Sequence, residues 1–168
     1  MICDAKKGMC IAGVFGGMNT GINSGTKNVF IESAYFNPVN IRKTSNRHGL
    51  KTDASFRFER GVDSGNVIYA LKRAALLIKD IAGGVISSEI IDVYPSPLPE
   101  RKINILYNNF DRLSGLKISR DAIKNIIADL GFSIINSTDT GLTVVVPGSK
   151  VDVTREIDVL EEVLRIYG

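Results

Sequence analysis

The spacing of apolar positions changes several times along the chain, and each change predicts an element. Asn28 to Phe36, NVFIESAYF, alternates β-branched and aromatic residues, which predicts a strand closed by Pro38. From Ser64 to Ala82 the period becomes helical: Val67, Ile68, Leu71, Ala74, Ala75, Ile78 and Ala82 recur at helix spacing. Asp63 or Ser64 supplies the cap and Gly83-Gly84 the stop. VISSEIIDVYP, Val85 to Pro95, returns to a strand-like pattern. The three prolines of PSPLPE, Pro95 to Glu100, disfavour helix and central strand and mark a domain boundary, giving domains 1–97 and 98–168. Beyond it, INILYNNFDRLSG predicts a strand and then a turn or short helix. Ser119 caps a helix ending near Leu130 and Gly131, and FSIINS with LTVVVPG predicts a hairpin. A last helix runs from Thr154 to Tyr167, with Ile157, Leu160, Val163, Leu164 and Tyr167 on one face. The fold class expected is α+β in two small domains, the second with a helix-then-hairpin layout that resembles winged-helix folds.

Composition narrows this picture without redirecting it. The 168 residues are 44% hydrophobic and 23% charged, the range of a globular protein. A net charge of +3 permits nucleic-acid contact but does not argue for it. Cys3 and Cys10 are too few for a disulfide scaffold and match no zinc spacing, so buried, reduced thiols are expected, in a cytoplasmic protein. No apolar run is long enough to span a membrane, and the first twenty residues lack a signal-peptide layout. His48 in NRHGL has no catalytic partner in the pattern and reads as a loop residue.

Four stretches carry candidate chemistry. IAGVFGGMNTGINSG, Ile11 to Gly25, reads as a strand breaking into a loop, where Gly13, Gly16 and Gly17 permit positive φ and close backbone approach. It is neither a Walker loop nor a dinucleotide fingerprint, since no Gly-Lys-Ser/Thr and no helix pattern follow. Glu32 sits inside the apolar run. A carboxylate there is unfavourable unless it is paired or reads a polar group, and Arg42, Arg57 and Arg60 are the available ion-pair partners. In VDVTREIDVLEE, Asp158, Glu161 and Glu162 share one helix face and Asp152 stands just before it. That pattern fits a solvated acidic face, and it also fits a hard cation such as Mg²⁺, which takes carboxylate oxygens. Finally, KTDASFRFERGVD, Lys51 to Asp63, reads equally as a strand with aromatic and charged faces or as a helix capped by Thr52. A structural salt-bridge knot is its simplest role.

The long run GVFGGMNTGINSGTKNVFIESAYFNPVNIRKTSNRHGLKTDASFRFERGVD, followed by LGFSI and TVVVPGSKVDVTREIDVLEEVLRIYG, resembles the beta chain of bacterial phenylalanyl-tRNA synthetases. The first part resembles the second half of that family's editing domain, and the tail the small domain that follows. The resemblance implies an α2β2 enzyme that joins phenylalanine to tRNA-Phe with ATP and Mg²⁺. Synthesis lies in the alpha chain, and hydrolysis of Tyr-tRNA-Phe in the beta chain. A pocket shaped for phenylalanine rejects an added hydroxyl only about 10²-fold, whereas a site that bonds the hydroxyl discriminates by about 10⁴ or more.

Residue by residue, the resemblance makes Glu32 the reader of the tyrosine hydroxyl and Gly16 the residue that leaves room for substrate. Thr52 and Ala54 become pocket-lining residues, and Ala54 must be small. Arg57, Glu59 and Arg60 become scaffold. Asp152, Asp158, Glu161 and Glu162 become magnesium ligands near the alpha-chain contact. Hydrolysis is expected from a positioned water, since no protein nucleophile is offered. Two departures stand out. Lys150 replaces the arginine usual in the family, and the upstream half of the editing domain and the ATP motifs are not in the sequence. A fragment with an incomplete editing site is therefore expected. The alternatives are a nucleic-acid-binding module in the tail, which its acidic last helix disfavours, and a structural module that docks the alpha chain.

Overall fold

The computed structural model describes all 168 residues, which divide into two compact units, Met1–Pro95 and Ser96–Gly168.

The first unit opens with a small antiparallel hairpin, β1 (Ile2–Cys3) and β2 (Gly8–Cys10). An isolated bridge, Ile11 to Phe15, then closes a tight loop around Gly13, whose φ of 65° lies in the left-handed region. A Cβ there would also stand 2.6 Å from Phe36 and 2.8 Å from Ile41, so both conformation and space require glycine. Three helices follow: α1 (Pro38–His48), α2 (Asp53–Phe58) and α3 (Val67–Ala82), the last preceded by a 3₁₀ turn at Ser64–Asn66.

Local chemistry explains these boundaries. Asn37 accepts from the amides of Val39 and Asn40, Pro38 occupies the first turn, and Gly49 leaves α1 at φ 63°. Thr52 and Ser55 form a capping box on α2. Asp63 takes the amide of Gly65, and Gly83 ends α3 at φ 69°.

Several expectations for this unit need correction. NVFIESAYF and VISSEIIDVYP form no strand, because neither finds a ladder partner within the chain. Pro38, rather than closing a strand, starts α1. His48 is the last residue of that helix, not a loop residue. KTDASFRFERGVD resolves as a helix. Cys3 is exposed and Cys10 half-buried, so the thiols are free but not buried. Of the glycines in the Gly-rich loop, only Gly13 uses positive φ.

The second unit orders β3 (Lys102–Leu106), α4 (Tyr107–Ser114), α5 (Arg120–Asp129), β4 (Ser133–Ser137), β5 (Gly141–Val145) and α6 (Glu156–Tyr167). β5 lies between β3 and β4 in an antiparallel sheet, with Ile103 opposite Val144 and Ile105 opposite Leu142. In β3 the apolar residues Ile103 and Ile105 face inward and their neighbours outward, as strand alternation requires. Gly141 lets β5 close on β3, since a Cβ there would fall 2.0 Å from the carbonyl oxygen of Ile105.

Helices cover this sheet through Phe110, Ile123, Ile127, Val159, Leu160 and Val163. Ile157 and Tyr167 lie outside the core at 40% and 46% exposure, so the buried face of α6 is rotated from the one expected. Arg101 fastens the first strand to the loop before α6. Its Nη1 donates to the carbonyl oxygens of Val153 at 2.6 Å, Lys150 at 3.2 Å and Val151 at 3.3 Å.

Candidate functional site

A cavity of about 510 Å³ in the first unit gathers Gly16, Glu32 and Ala54, which are far apart in sequence. Its volume suits a single small organic group. Gly16 comes from the loop after the Ile11–Phe15 bridge. An added Cβ at Gly16 would meet nothing within 4 Å, so the missing side chain is space left to the cavity rather than a packing need. Its neighbour differs: a Cβ on Gly17 would lie 1.9 Å from the carbonyl oxygen of Met9. Ala54, in the first turn of α2, forms the opposite part of the wall.

Thr52 does not line this cavity; it stands behind the wall. Its Oγ1 donates to the carbonyl oxygen of Val14 at 2.5 Å and accepts from the amide of Ser55 at 3.1 Å. One hydroxyl thus ties the Gly-rich loop to the start of α2. The charged residues beside it are scaffold. Arg60 donates to Glu59 at 3.2 Å and to the Phe56 carbonyl oxygen at 2.8 Å, and its guanidinium lies 3.4 Å from the centre of the Phe56 ring. Phe36 and Phe58 meet edge to face at 5.0 Å.

Four polar side chains on the cavity wall bear on its chemistry. Two are engaged. Ser33 Oγ donates to the carbonyl oxygen of Val67 at 2.8 Å, and Asp63 Oδ1 accepts from the amide of Gly65 at 2.9 Å. The other two, Glu32 and Asn66, make no side-chain hydrogen bond. Glu32 forms no ion pair either: Arg42 donates instead to the Glu59 carbonyl oxygen at 3.2 Å. Arg60 is likewise engaged by Glu59 and Phe56, and Arg57 makes no ion pair with Glu32. Partial burial without a partner pushes the Glu32 carboxyl above its ordinary value. An acceptor is thus left open on the wall of an apolar cavity. Asn66 was not singled out from sequence. No sequence signal marks it, since it lies inside a helical run that Asp63 caps.

The acidic set of the second unit is not assembled. No three acidic, histidine or cysteine side chains gather closely enough to hold a metal ion. Asp158 caps its own helix: Oδ2 accepts from the amides of Thr154 at 2.9 Å and Arg155 at 2.8 Å, and Oδ1 from the Arg155 guanidinium at 3.0 Å. The Arg155 bond, then the amides, hold its carboxyl well below the usual carboxylate range. Glu162 accepts from Lys150 through Oε2 and from Arg165 through Oε1 at 2.8 Å, and the Lys150 bond lowers its carboxyl in turn. Asp152 and Glu161 are exposed. As arranged, Asp158 and Glu162 face donors of the chain itself. Glu156, unremarked in the sequence, braces α6 by accepting from the Leu106 amide at 2.6 Å and the Asn109 amide group at 2.8 Å.

Comparison with known proteins gives the same two-part division. Residues 1–83 match the B3/4 domain and residues 103–168 the tRNA synthetase B5 domain. The chain is 52% identical over 168 residues to the phenylalanine–tRNA ligase beta subunit of Bacteroides thetaiotaomicron. It is 44% identical over 169 residues to that of Porphyromonas gingivalis and 44% over 167 residues to that of Geobacter metallireducens. These alignments cover 99–100% of this chain and 20–21% of the relatives, so the chain spans about a fifth of their length. The chain belongs to the phenylalanine–tRNA ligase beta subunit family and carries a B3/4 domain followed by a B5 domain.

Proposed function

We propose that the first unit contributes one wall of a hydrolytic pocket that removes tyrosine from tRNA-Phe, within a ligase that attaches phenylalanine with ATP. The observation that carries this reading is the unpaired Glu32 carboxylate on the same apolar cavity as Gly16 and Ala54. The side chain of a phenylalanyl ester offers Glu32 nothing to bond, whereas that of a tyrosyl ester offers a phenolic hydroxyl that Glu32 accepts. An acceptor that a bound ring covers without offering it a donor is unfavourable, so one carboxylate separates substrates that differ by one oxygen. Gly16 and Ala54 keep the ring's space open, and Thr52 holds the two wall segments in register. The cavity wall presents no serine, cysteine or histidine arranged as a nucleophile with its base, so water is the attacking group and the tRNA's terminal ribose hydroxyl assists.

The second unit docks the alpha chain of an α2β2 assembly in this proposal. Asp152, Asp158, Glu161 and Glu162 offer the carboxylate oxygens a magnesium ion takes. Lys150, Arg155 and Arg165 hold two of those four in this chain, so no part of the hydrolysis is routed through the metal. The working compartment is the cytoplasm, where tRNA is charged.

Glu32→Ala in the assembled enzyme tests the central point. Hydrolysis of Tyr-tRNA-Phe should fall to the level seen with Phe-tRNA-Phe. An unchanged tyrosine preference removes Glu32 from the role.

A further inference from the structure

Building on the pocket reading above, we propose that the Asn66 carboxamide is a second substrate-contacting group, donating from Nδ2 to the ester carbonyl oxygen. The polar wall of the cavity carries this. Ser33 and Asp63 spend their side chains on the protein, and only Glu32 and Asn66 do not. A tyrosyl ester has two polar ends that need partners. The phenol is a donor and suits Glu32. The ester carbonyl is an acceptor and needs a donor, which a carboxylate cannot be but a carboxamide can.

The position of Asn66 is fixed by its backbone. Its amide donates to the Asp63 carbonyl oxygen at 3.2 Å, and the Asp63 side chain locks the same turn through Gly65. The helical run begins at Ser64 with Asp63 as its cap, and Asn66 already has helical φ and ψ, so its carboxamide is not needed at the cap. The carboxamide is exposed, on a hydrogen-bonded turn, in a residue of the cavity wall. It also stands at the N-terminal end of a sixteen-residue helix, where the backbone dipoles favour an oxygen carrying negative charge over the substrate's ammonium group.

Hydrolysis then runs as follows. Water oxygen bonds to the ester carbon as the carbonyl electron pair moves onto its oxygen, which the Nδ2 hydrogen stabilises. That pair re-forms the double bond and expels the ribose oxygen, which takes the proton water gave up. The products are free tyrosine and tRNA with its terminal hydroxyl restored. A donor aimed at the developing oxyanion lowers the barrier more than it tightens binding.

The test uses a full-length beta subunit with its alpha chain, carrying Asn66→Ala, Asn66→Asp or Glu32→Ala, and measures kcat and KM for deacylation of Tyr-tRNA-Phe. Asn66→Ala should lower kcat by about tenfold to a hundredfold with KM and the preference for tyrosine over phenylalanine kept. Asn66→Asp, which keeps the shape and replaces the donor by a negative charge, should lose at least as much. Thermal midpoints should match the parent's. Unchanged kcat in Asn66→Ala overturns the proposal, as does an Asn66→Asp rate at or above the parent's. Glu32→Ala separates the two readings. If it abolishes the tyrosine preference while Asn66→Ala is silent, only the Asn66 assignment falls. If the preference survives, the pocket reading itself falls.

Discussion

Gly16 and Gly17 are neighbours with opposite demands. Gly16→Ala adds a methyl group into open cavity, so the fold should keep its thermal midpoint while deacylation by the assembled enzyme drops. Gly17→Ala drives a methyl group into the Met9 carbonyl and should destabilise the first unit by on the order of 1–3 kcal/mol, read by denaturant titration. From the sequence, both were simply glycines of one loop. Their difference depends on Met9, which only the folded hairpin brings alongside. Glu32 was legible sooner, because a carboxylate in an apolar run is a local contradiction that asks for an explanation. Asn66 was not: it lies inside a helical run that Asp63 caps, and its idleness shows only when the hydrogen bonds are traced.

At the scale of single elements, α2 depends on Thr52 at both ends of one hydroxyl. Thr52→Val should lose about 1 kcal/mol from the missing cap and also release the Val14 contact, whereas Thr52→Ser should retain most of both, by chemical denaturation. For α6, the depressed carboxyl of Asp158 sets a pH dependence. A group held below its ordinary value stabilises the fold above about pH 4, the unfolded value, and that contribution fades as pH falls further. The melting temperature of the parent chain should therefore drop below that pH more steeply than that of Asp158→Asn. Magnesium or EDTA should leave the midpoint of this 168-residue chain unchanged, since Lys150, Arg155 and Arg165 already pair with Asp158 and Glu162. The signals for α1 were present as Asn37-Pro38 and Gly49, but the β-rich pattern just before them drew the reading toward a strand. Propensity is local, whereas strand formation needs a partner, and none is within reach of residues 28–36 or 85–95.

Across the whole molecule, the two units differ in how much they bury. The second has a continuous core that includes Phe110, Ile105, Ile127 and Val144, each at most 1% exposed. In the first, Val14 and Ile41 are the buried apolar residues, and α3 has no fully buried residue. Amide exchange should therefore find slow protons in β3, β5 and α6 and fast ones through α3. Periodicity predicted the second unit well because its helices and hairpin close on each other within about seventy residues. It predicted the first less well because that unit's apolar runs pack little against one another. The Arg101 clasp has one more consequence, for proteolysis. Residues 80–100 contain no lysine or arginine, so a trypsin-like protease meets its first cleavable bond beyond Lys79 at Arg101 itself. That guanidinium donates to three carbonyl oxygens, so trypsin should cut the folded chain after Arg101 more slowly than after the neighbouring Lys102, whose side chain is 56% exposed.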